Sequence, residues 1–261
     1  MSVAIYNRAR MIPYHDENQT QRPAYVALVI IALCTLTWIF IQGAGDRRLL
    51  ADSVCALGLI PGELTGMLRA GLVFPLDDDL VCTIGVGPQY LNVLTSMFLH
   101  GGWMHLIGNM WFLWLFGNNI EDSMTRPRFI VFYLLCGVGA ALAQVLAEPG
   151  SAVPMVGASG AISGVMGAYL VLYPRVRVYT FVPIAFFFTT IRLPAWGMLV
   201  YWMVLQIGGG LMQSVAAEGG GVAFWAHIGG FLAGVLLIKL FARANHVAAH
   251  VAQHYRPEHV G

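Results

Sequence analysis

Six stretches of this 261-residue chain run for close to twenty residues with scarcely a charge. About twenty apolar residues make one helical crossing of a bilayer. Lipid offers no partner to a backbone N–H or C=O, so such a stretch must satisfy its own hydrogen bonds as a helix. The six lie at about 25–42, 104–120, 129–147, 157–173, 194–212 and 222–241. Only 10% of the residues are charged and 58% are hydrophobic, whereas about a quarter of an ordinary soluble domain is charged. The expected fold is therefore an all-α membrane protein with six transmembrane helices. It divides into an N-terminal segment 1–24, a six-helix domain 25–241 with a long loop 43–92, and a tail 242–261. The stretch 178–190 is also apolar, but short and interrupted by Pro183. It reads as an interfacial or re-entrant connection, with a seventh span as the competing reading.

Basic residues gather on the cytoplasmic side of membrane proteins. With six spans and the N-terminus inside, that side holds Arg8, Arg10, Arg22, Arg126, Arg128, Arg175, Arg177, Arg192, Lys239, Arg243 and Arg256. The outer side holds only Arg47, Arg48 and Arg69. Both termini are expected to be cytoplasmic. A seventh span would put Arg192 across the membrane from Arg175 and Arg177. Residues 1–22 are polar, with no short basic head followed by an apolar run, so the first span is expected to be retained rather than cleaved. A net charge of +1 implies no strongly charged partner, and no basic surface for nucleic acid is evident.

The parity of the spans sends the N-terminal ends of the second, fourth and sixth to one membrane face. Those ends carry His105 and Asn109, then Ser159, then His227. Counting back from Pro174 at about 1.5 Å per residue puts Ser159 roughly 20–25 Å above the inner surface, below the outer one. The loop before it must dip to that depth, which irregular backbone tolerates only against protein or a water-filled cavity. A serine hydroxyl needs a base to take its proton, and His227 is the obvious one. An intramembrane ionisable residue is by default a functional candidate, against the plainer reading of a histidine tying two helices together. With no intramembrane Asp or Glu placed to orient His227, a dyad is expected. Gly160 and Gly164 in one span, Gly230 and Gly234 in the other, form small-xxx-small faces that let helices approach closely. His105 and Asn109 are four apart and share a helix face. With the Ser159 N–H they could form an oxyanion hole, or serve as hydrogen-bond glue between helices.

The run His100-Gly-Gly-Trp-Met-His105-Leu-Ile-Gly-Asn109, the turn Gly157-Ala-Ser159-Gly160 and the run Ala226-His227-Ile-Gly-Gly230-Phe-Leu-Ala-Gly234 together resemble the rhomboid intramembrane serine proteases, in the same order. The resemblance covers roughly residues 25–241. It implies the six-helix rhomboid core, with Ser159 as nucleophile and His227 as general base. His105, Asn109 and the Ser159 amide would form the oxyanion hole, with His100, Gly157 and Gly160 in support. Glu121 would hold the cytoplasmic helix ends together, near Gly117. Trp196, Tyr201 and Trp202 would belong to a lateral gate, and residues 214–221, with Gly220, to a mobile cap. Substrates would be single-span membrane proteins cut near their outer end; the catalytic reading needs no cofactor or metal, and a monomer suffices for it because all the proposed site residues lie on one chain. Many relatives carry a Trp-Arg pair before the second span; here that stretch reads Pro88-Gln89-Tyr90-Leu91-Asn92. Relatives that have lost the dyad act as non-proteolytic client-binding or quality-control factors, an alternative that retention of Ser159 and His227 argues against. A transporter would be expected to show paired repeats or acidic residues within its spans, and neither is evident.

Within the long loop, 57–60 and 64–68 are expected to lie along the interface as short amphipathic helices. Asp77-Asp78-Asp79 reads as a solvated turn in preference to a cation site. Cys55 and Cys82 share the predicted outer side, where an oxidising compartment would permit a disulfide; spacing leaves paired and free thiols equally open. Cys34 and Cys136 read as small packing residues. His246, His250 and His254 share one helical face, with His259 beyond. Without an acidic or thiolate ligand beside them, a solvated face is preferred to a metal site. The polar stretch before the first span resembles bacterial members, so the expected location is a bacterial inner membrane with the site opening outward.

Overall fold

The computed structural model describes residues 12–76, 79–184, 187–216 and 222–254. In chain order its main elements are β1 (Ile12–Asp16), α1 (Tyr25–Leu36) with a π-helical turn Thr37–Ile41, and α2 (Arg47–Leu57). Next come β2 (Val73–Pro75), β3 (Val81–Thr83) and α3 (Trp103–Phe112), which a π turn at Leu113–Gly117 carries into α4 (Asn118–Asp122). Then follow α5 (Arg126–Ala147), α6 (Ser159–Leu172), β4 (Arg177–Ile184), β5 (Phe187–Pro194), α7 (Ala195–Ala216), α8 (Phe224–Phe241) and α9 (Ala244–His254). Helix α5, residues Ala195–Ser214 of α7, and α8 are long and apolar enough to cross a bilayer; α6 and the stretch Tyr25–Ile41 are shorter apolar helices. Prolines set several boundaries: one lies in the first turn of α5, and Pro174 follows the last, non-helical residue Tyr173 at the end of α6. The residue before a proline is pushed out of the helical region.

Helix α6 is the axis of the bundle, buried without a break from Gly160 to Tyr169. Helix α8 approaches it backbone to backbone, and α5 packs on it through small side chains. A Cβ on Gly230 of α8 would collide with the Gly160 carbonyl, one on Gly234 with the Gly164 carbonyl, and one on Gly167 with Phe231 of α8. On the other side Gly164 meets Cys136 of α5, and Gly229 of α8 meets Ala143. Three helices are thus drawn together along small residues, the packing available in lipid, where no hydrophobic drive separates helix from solvent. Cys34 and Cys136 are free thiols in this buried packing.

Polar contacts tie the opposite end of the bundle from Ser159. Glu121 in α4 accepts from the N–H groups of Val26 and Ala27, at 3.0 and 2.8 Å. Its carboxylate therefore caps the first turn of α1, where the helix dipole favours negative charge. Asp122 accepts from Gln21 N and Arg22 Nε, both at 2.6 Å. Asp16 accepts from Asn119 Nδ2 at 2.9 Å and from the Tyr169 hydroxyl at 2.5 Å. His246 of the tail lies against Arg22. The side chains of His250 and His254, and all of His259, fall outside the described residues.

The expectation of an all-α chain needs correction here. Residues Arg177–Ile184 and Phe187–Pro194 form an antiparallel hairpin, and β1 pairs antiparallel with β4 to make a three-stranded sheet, β1-β4-β5. The apolar stretch 178–190 is thus a pair of strands and not a seventh helical span. Val178, Tyr179, Thr180 and Phe181 are β-branched or aromatic, residues that favour a pleated, half-buried surface. The segment before α1 supplies their partner: Ile12 pairs with Phe181 and Asp16 with Val178.

The loop after α1 is partly ordered by its own contacts. Asp46 caps α2 through Arg48 N and Leu49 N, each at 3.1 Å. A second small sheet pairs β2 with β3. Cys55 of α2 and Cys82 of β3 are joined by a disulfide, with Cα atoms 5.5 Å apart. Of the acidic run, Asp77 and Asp78 fall outside the described residues, and Asp79 lies 3.8 Å from Arg47 in an exposed pair. The expected helix at 57–60 is instead the end of α2 and an extended strand-like link, where Leu59 bridges Met155; Pro61–Leu64 is a single helical turn.

Gly234→Ala is expected to destabilise the bundle by about 1–3 kcal/mol, the usual range for overpacking a tight contact. Gly208→Ala, on an open face of α7 with nothing within 4 Å of the new methyl, is expected to be neutral or slightly stabilising. Thermal unfolding in detergent compares the two. In denatured, unreduced protein, maleimide should label only Cys34 and Cys136; reduction should expose Cys55 and Cys82 as well.

Candidate active site

Ser159 is the first residue of α6. The first four N–H groups of a helix lack intrahelical partners, so the Ser159 amide is free to donate outward, and the positive end of the helix dipole lies beside it. Gly157 makes the turn possible with φ +126°, a backbone conformation closed to most side chains. Its N–H donates to Ser96 O at 2.9 Å, which fixes the loop against the segment before α3.

Helix α8 brings His227 to the same level. His227 Nε2 lies 2.8 Å from Ser159 Oγ. The glycine contacts between α6 and α8 start one residue beyond Ser159, at Gly160, so the helix approach and the side-chain approach are one feature. His227 N bonds Ala223 O, and the N–H of the preceding Ala226 donates to Gln144 Oε1 of α5 at 3.2 Å. The first turn of α8 is therefore pinned from α5. Trp202 of α7 places its ring 5.8 Å from the His227 ring and 6.2 Å from that of Phe231.

His105 and Asn109 close the site from α3. A Cβ on Gly157 would sit 2.7 Å from His105 Nε2 and 3.5 Å from Asn109 Nδ2, so both side chains face the backbone just ahead of Ser159. His105 Nδ1 accepts from Gly101 N at 3.3 Å. A neutral imidazole whose Nδ1 accepts carries its proton on Nε2, so His105 Nε2 is a donor toward the site. Asn109 Nδ2 is buried with no partner among the described residues. A buried donor left open is costly, and here it borders a cavity that a reacting oxygen could enter.

That cavity has a volume of about 1190 Å³ and is lined by Ser159, His227, His105, Asn109 and Trp202, with residues of α2 and of the loop 147–156 at its outer part. His100 is buried and stacks edge-on to His105, ring centroids 5.3 Å apart. Its backbone is clamped by Gln42, which donates to His100 O and accepts from His100 N, each at 2.8 Å. Tyr201 is an exposed residue on the outside of α7. Trp196 lies in the first turn of α7, where its N–H meets Pro174 O beyond the far end of α6; it is not brought to the site. Gly220 and most of the expected cap lie outside the described residues.

A family model described as the Rhomboid domain matches residues 87–244. The chain belongs to the rhomboid family. As such it is a multi-pass membrane protein. Relatives include RHOMBOID-like protein 5 of Arabidopsis thaliana, 30% identical over 147 residues, 56% of this chain and 42% of the relative. Rhomboid protein 1, mitochondrial, of Saccharomyces cerevisiae is 27% identical over 150 residues, 56% of this chain and 40% of the relative. Rhomboid protease GluP of Bacillus subtilis is 37% identical over 82 residues, 31% of this chain and 16% of the relative. The chain thus matches less than half the length of each of these proteins.

Two contributors escaped the reading of the rhomboid sequence. Gln42 clamps His100 from the end of α1. Gln206 of α7 puts Oε1 2.8 Å from His227 Nδ1. Gln206 is a neutral amide within an apolar stretch and Gln42 ends one; a polar residue there is their only sequence signal. Gly157→Ala should press a methyl into His105 and strain the turn before Ser159. Displacement of a reacting group by about 1 Å costs on the order of 10²-fold. A drop of that order in fluorophosphonate labelling of Ser159, with an unchanged helical spectrum, is the expected result.

Proposed function

We propose that this rhomboid is an intramembrane serine endopeptidase that cleaves transmembrane-protein substrates near the outer end of their spans. The observation that carries the reading is the 2.8 Å contact between Ser159 Oγ and His227 Nε2, in a cavity that both residues line with His105 and Asn109. A nucleophile within hydrogen-bond reach of a base is the arrangement acyl transfer requires. Relatives whose names include a protease of Bacillus subtilis and one of Toxoplasma gondii support it at the level of the family.

The chemistry follows from the atoms in place. Ser159 Oγ attacks the scissile carbonyl carbon while its proton passes to His227 Nε2. The carbonyl oxygen becomes an oxyanion, accepting from Ser159 N–H, His105 Nε2–H and Asn109 Nδ2–H. Donors fixed before the reaction stabilise charge that appears only in the transition state. The C–N bond then breaks, and His227 returns the proton to the leaving amine. Water from the cavity attacks the acyl-serine, giving its proton to His227, and the second tetrahedral species collapses to release the carboxylate and restore Ser159. Every group named lies on one chain, so a monomer suffices, and no step calls for a cofactor.

Part of the cavity is lined by Leu50, Ala51, Val54 and Leu80 of the loop that carries the Cys55–Cys82 disulfide. Disulfides persist on the oxidising side of a membrane, which supports a site opening away from the cytoplasm. The basic residues at the other end, Arg126, Arg128, Arg175 and Arg177 among them, support cytoplasmic termini. A six-span bundle in a bacterial inner membrane fits both.

Proteoliposomes holding a single-span model substrate provide the test. Ser159→Ala and His227→Ala should each lower cleavage on the order of 10⁴-fold or more, with the far-UV spectrum unchanged. Cleavage by Ser159→Ala at the wild-type rate would sink the proposal. Binding of the substrate without cleavage by wild type, together with no fluorophosphonate labelling, would replace it with a client-binding role.

A further inference from the structure

A histidine acting as base toward a serine must present a bare nitrogen to the hydroxyl. A neutral imidazole carries one proton, and the partner of the other nitrogen decides where it sits. Nε2 of His227 faces Ser159, so the proton must be on Nδ1, and a proton there needs an acceptor. In a water-exposed site solvent would provide one. Here Gln206 Oε1 lies 2.8 Å from His227 Nδ1, and Gln206 is itself buried.

We infer that Gln206 is a positioning residue of this site: its side-chain carbonyl accepts the Nδ1 proton of His227 and holds the ring in the tautomer whose Nε2 lone pair faces Ser159. The inference rests on the serine-protease reading above and adds a third member to the expected dyad. Trp202 lies one helical turn before Gln206 on α7 and so shares its face. Its ring flanks the imidazole with centroids 5.8 Å apart. The tryptophan limits the ring's plane and the glutamine fixes its rotation, both from the same helix.

The chemistry of an amide fits its place. A carboxylate at this depth would carry a desolvation penalty of several kcal/mol. A glutamine carbonyl sets the tautomer without that charge, and it also forgoes the charge that would steady an imidazolium. The amide's orientation is decisive. Turned over, its NH₂ would donate to Nδ1, force the proton onto Nε2, and leave His227 unable to accept from Ser159. Among the described residues, the titratable side chains sharing the cavity with His227 are His105 on α3, Glu148 after α5 and Arg47 on α2. None of these is the group bonded to Nδ1.

The test uses the full chain in nanodiscs. Gln206→Leu keeps the bulk and removes the acceptor; the rate of fluorophosphonate labelling of Ser159 should fall about 10²-fold or more. With a model substrate the loss should fall on kcat and leave KM close to wild type. Gln206→Glu restores an acceptor and adds negative charge, which favours the imidazolium. It should recover much of the rate and move the acid limb of the pH–rate profile to higher pH, a shift that a merely structural glutamine would not produce. Labelling of Gln206→Leu at the wild-type rate would overturn the inference while leaving the protease reading intact; no labelling of wild type would overturn that reading and the inference with it. The tautomer can also be read without activity, from the ¹⁵N spectrum of His227 in Ser159→Ala protein. A proton on Nδ1 is expected, lost to a mixture in the double variant with Gln206→Leu. A proton on Nε2 would refute the assignment.

Discussion

The near contact of α6 and α8 is the constraint on which the rest of this structure depends. Gly230 and Gly234 lie against the carbonyls of Gly160 and Gly164, leaving no room for a side chain between the backbones. Helices packed over larger residues keep axes about 8–10 Å apart. At such a spacing, short side chains near the helix ends would struggle to meet. Because the approach begins one residue from Ser159, the geometry of the bundle and the geometry of the dyad are the same fact. A substitution on this seam acts on stability and on the Ser159–His227 distance together.

The two ends of the bundle solve different problems. At the end carrying Glu121, Asp122 and Asp16, carboxylates are satisfied by helix N–H groups, an arginine, an asparagine and a tyrosine. These acceptors are fully engaged and lock β1, α1, α4 and α6 into one unit. At the other end the polar groups are under-used. Asn109 Nδ2 has no partner among the described residues, the first amides of α6 have no helical one, and a cavity of about 1190 Å³ adjoins them. Other buried polar atoms also lack a partner among the described residues, the Tyr133 hydroxyl, Trp38 Nε1 and Asn119 Oδ1 among them, but Asn109 is the one of these residues that lines the cavity.

The bundle was legible from hydrophobic run length, because lipid forces each apolar stretch into a self-satisfied helix. Ser159, His227, His105 and Asn109 were legible because parity brings three helix N-termini to one face. The hairpin Arg177–Pro194 was not. An apolar run too short to span has no solvent rule to settle its conformation, and its pairing partner β1 lies some 165 residues earlier in the chain. Trp196, which the resemblance puts in a gate, lies in the first turn of α7 beside Pro174, a position that depends on where that helix starts after β5. The disulfide required Cys55 and Cys82 to be set at bonding distance by α2 and the β2–β3 turn, which spacing does not encode.

In the mechanism proposed above, Gln206 stands where a carboxylate stands in a water-exposed site. A search for the residue that orients a catalytic histidine looks first for a carboxylate, since in water-exposed sites a negative charge both fixes the tautomer and stabilises the imidazolium. Within a bilayer those two services have different costs. Fixing the tautomer needs only a lone pair, which a neutral amide supplies, whereas stabilising the cation needs a charge that is costly to bury. A buried glutamine one turn from a tryptophan, on the helix facing His227, takes the first service and forgoes the second. In the mechanism proposed above, such a base has its lone pair aimed at Ser159 while its conjugate acid is left without a charged partner, so the proton taken from the serine would be readily given up to the leaving amine.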